Sequence, residues 1–260
     1  MPFPYEKYEI KAGLFTFYYP LDQDSLANWI FQSIEEACQL LRQLLGRPMP
    51  EVQVILVTPE DWGITPRDDP EEPANALPYW TTVTQPPSIF IPVLFDTIIG
   101  TMDKEKLAFL SYVALTQAFL EDDPRPWPDE SPLWADEWQL QFAALWLIQG
   151  VQGQSSIVMK DLHEQYAEIF EPELDGKTPV TVRGFDWYED TSPEEYLIFI
   201  LLLERFAADL LENYSPEILP RFLDLYRKDV SRLLSDEVTD ILASVMGPGG
   251  SEWLEDLVYF

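Results

Sequence analysis

The sequence predicts an α+β fold: a small N-terminal mixed sheet with one long helix, followed by a mainly helical region. Three observations predict it. Short β-branched and aromatic runs bounded by Pro, Asp and Gly fall in the first hundred residues. From Asp103 onward, apolar residues recur instead at helical spacing. The 260 residues are 47% hydrophobic and 14% aromatic, enough to bury a sizeable core and too apolar for a disordered acidic tail. The expected organisation is a sheet subdomain over residues 1–103 and a helical subdomain over 104–260, together one compact unit.

Taken in order, Leu14 to Tyr19 (LFTFYY) is apolar and aromatic and stops at Pro20, which reads as a strand. Asp22 or Asp24 is placed to cap a helix from about Ser25 to Leu45, ended by Gly46 with Pro48 beyond. Its Trp29, Ile30, Ile34, Ala37, Leu41 and Leu44 share a face, and Cys38 reads as a small buried apolar group. Glu51 to Thr58 (EVQVILVT) is a strand, and Pro59 to Leu77 a long loop rich in Pro, Asp and Glu. Trp80 to Thr84 and Ser88 to Pro92 flank Gln85-Pro86-Pro87 as a hairpin, with Pro92 at an edge or strand end.

Helices are expected over Lys104 to Leu120, Leu133 to Ile148 and Val158 to Phe170, then a short strand at Val180 to Val182. Ser192, Pro193 and Glu195 form a capping-box start for a helix reaching about Asn213. Ser215-Pro216-Glu217 starts another in the same way, Ser235 begins one ending near Gly247, and the tail from Ser251 forms a last turn.

The charge narrows the partners. Forty-six acids against sixteen Lys and Arg give a net charge of -30, so nucleic acid and anionic membrane surfaces are excluded as partners, and a basic protein or peptide is favoured. One cysteine allows no internal disulfide, and the N-terminal MPFPYEKYEIK lacks a secretory pattern, so the expected location is the cytoplasm. The longest apolar run, Tyr196 to Leu203, is too short to span a bilayer.

The chemistry-bearing region is Val113-Ala114-Leu115-Thr116-Gln117-Ala118-Phe119-Leu120 with Leu133-Trp134-Ala135-Asp136-Glu137-Trp138-Gln139-Leu140 after it. The first segment resembles the HExxH helix of zinc metallopeptidases, in which two histidines at i and i+4 bind zinc and the intervening Glu activates water. The second resembles the following helix, which supplies a third ligand about twenty residues on. The order of strand, long helix, strand, loop and edge hairpin is similar to the N-terminal part of gluzincin, or peptidase MA-like, domains. The later EEYLIFILLLERFAADLLENYSPEILPRFLDLYRKD is similar to their C-terminal helices. The similarity spans roughly residues 12–246 and implies a zincin-like fold with an edge strand lining a substrate groove.

By that resemblance Val113 and Gln117 stand at the two histidine positions, Ala114 at the catalytic Glu, and Glu137 at the third ligand. Val and Ala have no lone pair to offer, Gln is a poor zinc ligand, and one carboxylate holds no ion alone. With one histidine and one cysteine in the chain, a working zinc hydrolase is not expected, and no metal or cofactor is. Trp80, Thr82, Trp134 and Trp138 are the candidate lining of a groove, with Trp127 beside them.

Other candidates are weaker. His163, within KDLHEQYAEIF, reads as a surface histidine with no nucleophile beside it. Acidic clusters at Asp68-Asp69-Glu71-Glu72, Glu121-Asp122-Asp123 and Glu171-Glu173-Asp175 lack EF-hand spacing and read as solvated loops. Three functional readings follow: a non-catalytic metallopeptidase-like module that binds a peptide or protein, an acidic decoy for a basic partner, and a carboxylate-based hydrolase of another class built on Glu137.

Overall fold

In the computed structural model, five strands join into one mixed sheet: β1 (Glu9–Ala12), β2 (Thr16–Tyr19), β3 (Gln53–Val57), β4 (Tyr79–Thr81) and β5 (Ser88–Pro92). Their order is β1-β2-β3-β5-β4; β2, β3 and β5 run parallel, and both edge strands, β1 and β4, run antiparallel to their neighbours. The helices are α1 (Asp24–Leu45), α2 (Pro59–Trp62), α3 (Lys104–Leu120), α4 (Leu133–Leu147), α5 (Lys160–Gln165), α6 (Pro193–Asn213), α7 (Ile218–Tyr226), α8 (Ser235–Met246) and α9 (Gly250–Asp256). The structure describes residues 3–68, 75–95, 99–121, 132–153, 157–170, 180–186, 191–228 and 233–260. The fold is α+β, as the periodicities require.

The chain divides into two compact units, residues 1–121 with 147–154, and residues 122–146 with 155–260. The sheet unit therefore ends after α3 and not at residue 103. The reason is packing: α3 lies against α1, β4 and β5 and completes the core around the sheet.

In the first unit β3 is buried along its whole length, so its QVILV run has no polar alternation. Phe17, paired with Val54, meets Phe31 of α1 at 6.0 Å between ring centroids, so this sheet face takes the helix. Tyr18, paired with Ile55, meets Tyr5 at 5.1 Å on the other face. There Ile55, Val57 and Phe90 are covered by Phe3, Tyr8 and Trp62. α1 buries Ile30, Ile34, Ala37, Cys38 and Leu41, and each large aliphatic among them contributes roughly 1.5–3 kcal/mol. Trp29 and Leu44 are only half-buried. Neither Asp22 nor Asp24 caps the helix; its N-cap is Gln23, without a side-chain bond. Gly46 ends it at φ +63, a conformation few other residues adopt cheaply. Asp103 caps α3 by accepting from the Lys106 N–H at 2.9 Å. A π-helical turn, Ile148–Gln152, closes this unit: Gln152 Nε2 donates to Ser33 Oγ and Tyr112 OH, which are 2.6 Å apart.

In the second unit α4 and α6 bury large apolar side chains, among them Trp134, Trp138, Phe142, Phe199 and Phe206. Trp138 sits at 4.9 Å from Phe222 and 5.7 Å from Phe142 between centroids, and Trp134 meets Phe260 edge-on at 5.2 Å. α6 opens with the expected capping box, Ser192 Oγ accepting from Glu195 N–H and the Glu195 carboxylate from Ser192 N–H. Those bonds hold the Glu195 carboxyl below its usual range. Ser215 caps less well than Ser192: α7 begins at Ile218, with only a 3.4 Å bond from Glu217 N–H to Ser215 Oγ. Val158 to Phe170 is not one helix but α5 followed by a 3-10 turn, Ala167–Phe170. Residues 180–182 form no strand; the Val182 N–H donates singly to the Tyr259 carbonyl.

Candidate functional site

α3 is apolar nearly all round, because it must satisfy neighbours on several sides at once. Within it, Val113 and Gln117 are four residues apart and so share a face. Gln117 is exposed and Val113 half-exposed, whereas Ala114, about 100° around the helix, is buried. The two positions where the resemblance places metal ligands thus lie on the outward face of α3. One holds a hydrocarbon and the other an amide.

Trp80 and Thr82 belong to the same unit. Trp80 is buried in edge strand β4, and its Nε1 donates to Glu121 at the end of α3 at 3.0 Å. Trp80 therefore anchors β4 to α3 and does not line an open groove. Thr82 and Val83, just beyond the strand, are exposed. β4 packs against α3, which places a sheet edge and the outward α3 face in one unit.

Trp134, Trp138 and Glu137 belong to the second unit. Both tryptophans are completely buried, which removes them as groove-lining residues. Trp134 Nε1 donates to Ser235 Oγ at 3.0 Å, while Trp138 Nε1 finds no acceptor among the described residues. α4 carries apolar residues at every turn, so the spacing of its tryptophans does not reveal which side meets solvent; Asp136 and Glu137 take the half-exposed side and the aromatics turn into the core. Trp127 lies outside the described residues, as does most of each acidic cluster.

Glu137 is half-buried, and desolvation first, then the neighbouring Asp136 charge, pushes its carboxyl up to about 7. Asp136 itself accepts from Gln139 Nε2 at 3.3 Å and from Tyr226 OH at 3.5 Å. A carboxyl tuned to neutrality can exchange a proton under physiological conditions. The described residues, however, contain no group of three or more His, Cys, Asp or Glu arranged to hold a metal ion.

The second unit also contains a pairing that sequence reasoning missed. His163 is not a surface histidine: its side chain is only 11% exposed, and its Nε2 lies 2.9 Å from the Oε2 of Glu204, which is 0% exposed. Glu204 Oε1 accepts from the Val158 and Met159 N–H groups at 2.6 and 3.1 Å. The His163 ring stacks on Phe170 at 5.0 Å and 8°. The signal was present in Phe199–Ala208, FILLLERFAA, where a carboxylate inside an apolar helix must find donors.

Among the described residues, a cleft opens on each unit. One, of about 650 Å³ in the first unit, is lined by Leu14, Gln39, Arg42, Gln43, Gly46 and Arg47, with Pro48. The other, of about 350 Å³ in the second, has Asp236, Asp240, Glu255 and Arg183 on its walls. Neither includes a candidate site residue named from the sequence. No described helix is long and apolar enough to cross a membrane. No protein-family model and no curated protein matches the chain.

Proposed function

We propose that the chain is a non-catalytic, metallopeptidase-like protein that binds an extended peptide or protein segment along β4 and the outward face of α3. The observation that supports this reading is the outward placement of Val113 and Gln117, four residues apart, on a helix packed against an edge strand. The resemblance implies an edge strand beside the ligand-bearing helix, and this chain pairs such a frame with side chains that do not bind zinc. An edge strand offers main-chain groups to an incoming strand. A net charge of -30 favours a basic segment.

Displayed-peptide selection against the purified protein is expected to enrich extended, basic sequences. Thr82→Pro and Gln117→Trp should each weaken their binding at least about tenfold, by blocking strand addition and by filling the α3 face. Zinc content should stay far below one equivalent. Stoichiometric zinc, zinc-dependent cleavage of the peptides, or binding indifferent to both substitutions would overturn the proposal. A second reading, capture of a basic partner by charge alone, draws on the acid-walled cleft of the second unit. It predicts capture that ignores Thr82 and Gln117 and vanishes in high salt.

A further inference from the structure

The other edge of the sheet carries an independent signal. β1, Glu9-Ile10-Lys11-Ala12, pairs only with β2 among the described residues, so one side of its backbone is open. The phase of the hairpin is set by Gly13 N–H donating to the Phe15 carbonyl at 3.1 Å. With the register Lys11↔Phe17 and Glu9↔Tyr19, Glu9 and Lys11 turn their peptide groups toward β2, and Ile10 and Ala12 turn theirs outward. Ile10 is also 62% exposed, Leu14 in the turn between β1 and β2 is 41% exposed, and Leu21, two residues past β2, is 69% exposed. Such an edge invites pairing unless something blunts it. Here neither a proline nor a bulge does so; the strand is short, and its two charges, Glu9 and Lys11, are of opposite sign.

We infer that β1 is the contact edge of a homodimer, two β1 strands pairing antiparallel about a two-fold axis through Ile10. The charge pattern selects this occupant. Centred on Ile10, the pairing places Glu9 opposite Lys11 of the partner subunit and Lys11 opposite Glu9 of the partner subunit, so the edge is complementary to itself. Glu9 and Lys11 project to the α1 face, where Lys11 Nζ is held by Asn28 Oδ1 at 2.8 Å over the Phe31 ring at 4.2 Å. Ile10 projects to the opposite face, beside Tyr18, and there meets its own copy. The net charge of -30 on each copy opposes the approach, so the dimer tightens as salt screens it. That dependence is opposite to the capture of a basic partner.

Sedimentation velocity from about 1 µM to about 500 µM tests this. The expected mass climbs from the 30.1 kDa of one chain toward twice that value, at lower protein concentration in about 0.5 M than in about 0.05 M NaCl. Glu9→Lys and Lys11→Glu should each weaken self-association about tenfold, because each sets like charges opposite one another. An equimolar mixture of the two variants should recover it, since every cross-strand pair in the mixed dimer is again of opposite sign. Ile10→Pro, which deletes the N–H at the axis, should abolish it. A monomer at all concentrations and both salts, a dimer indifferent to the single reversals, or a mixture that stays monomeric would overturn the inference. Because recovery on mixing requires two folded chains, misfolding of one variant cannot imitate it.

Discussion

Glu137 shows how a single side chain can be readable in identity and unreadable in state. Its position on a helix and its distance from Gln117 are evident in the sequence; its titration depends on how much water the fold removes. The carboxyl is raised from 4.5 to about 7 by burial and by Asp136. Between those pH values the folded chain holds a proton that the unfolded chain has released. The associated stability is complete below pH 4.5 and is lost as pH rises through about 7, a change of at most about 3 kcal/mol. Glu137→Gln should remove this dependence, matching the parent near pH 5 and exceeding it by about 1–3 kcal/mol near pH 8. Urea unfolding at both pH values measures it, and parallel pH profiles for parent and variant would refute it. Cys38 is the opposite case. Its apolar neighbours in the sequence already implied burial, and burial pushes its thiol up to about 12.

At the scale of elements, legibility followed the strength of the periodic signal. α1, α3 and α6 begin and end within a residue or two of expectation, because apolar spacing, Gly46, Asp103 and the Ser192 box are local features. β1 was invisible because it is only four residues long and has no buried face, so the charged/apolar alternation of EIKA is too short to stand out. α2, four residues of a Pro-Glu-Asp-Trp turn, is too short to show a period. The junction of α5 with α6 was equally hidden, since His163 and Glu204 meet across 41 residues of separation. That junction makes a sharp prediction. Glu204, itself fully buried, satisfies two backbone donors and one imidazole, so Glu204→Ala leaves all three without their acceptor and should cost about 3–5 kcal/mol. Glu204→Gln, which keeps an acceptor oxygen, should cost less than half of that. Hydrogen exchange of the α5 amides, read beside global urea unfolding, checks both. Equal losses for the two variants would show that packing, not hydrogen bonding, sets the cost.

For the whole molecule the governing quantity is charge. Even with each of the sixteen Lys and Arg matched to one acid, thirty carboxylates would have no cationic partner. Two of the described ion pairs, Arg221–Glu217 and Arg205–Asp209, are i,i+4 helix pairs, each worth only about 0.3–0.5 kcal/mol. Self-repulsion therefore acts against the folded chain wherever acids are closer together than in the unfolded one. Raising NaCl from about 0.02 M to about 0.5 M shortens the screening length several-fold and should raise the thermal midpoint by about 5 °C. The identity of the cation separates screening from binding. If repulsion alone is relieved, tetramethylammonium chloride must do as well as NaCl at equal ionic strength, and millimolar Ca²⁺ must add little beyond its ionic strength. A saturating rise in the midpoint with Ca²⁺, absent with tetramethylammonium, would instead place a cation among the excess carboxylates. A midpoint that falls with salt would mean that attractive pairs, and not the excess of carboxylates, dominate the electrostatics of the fold.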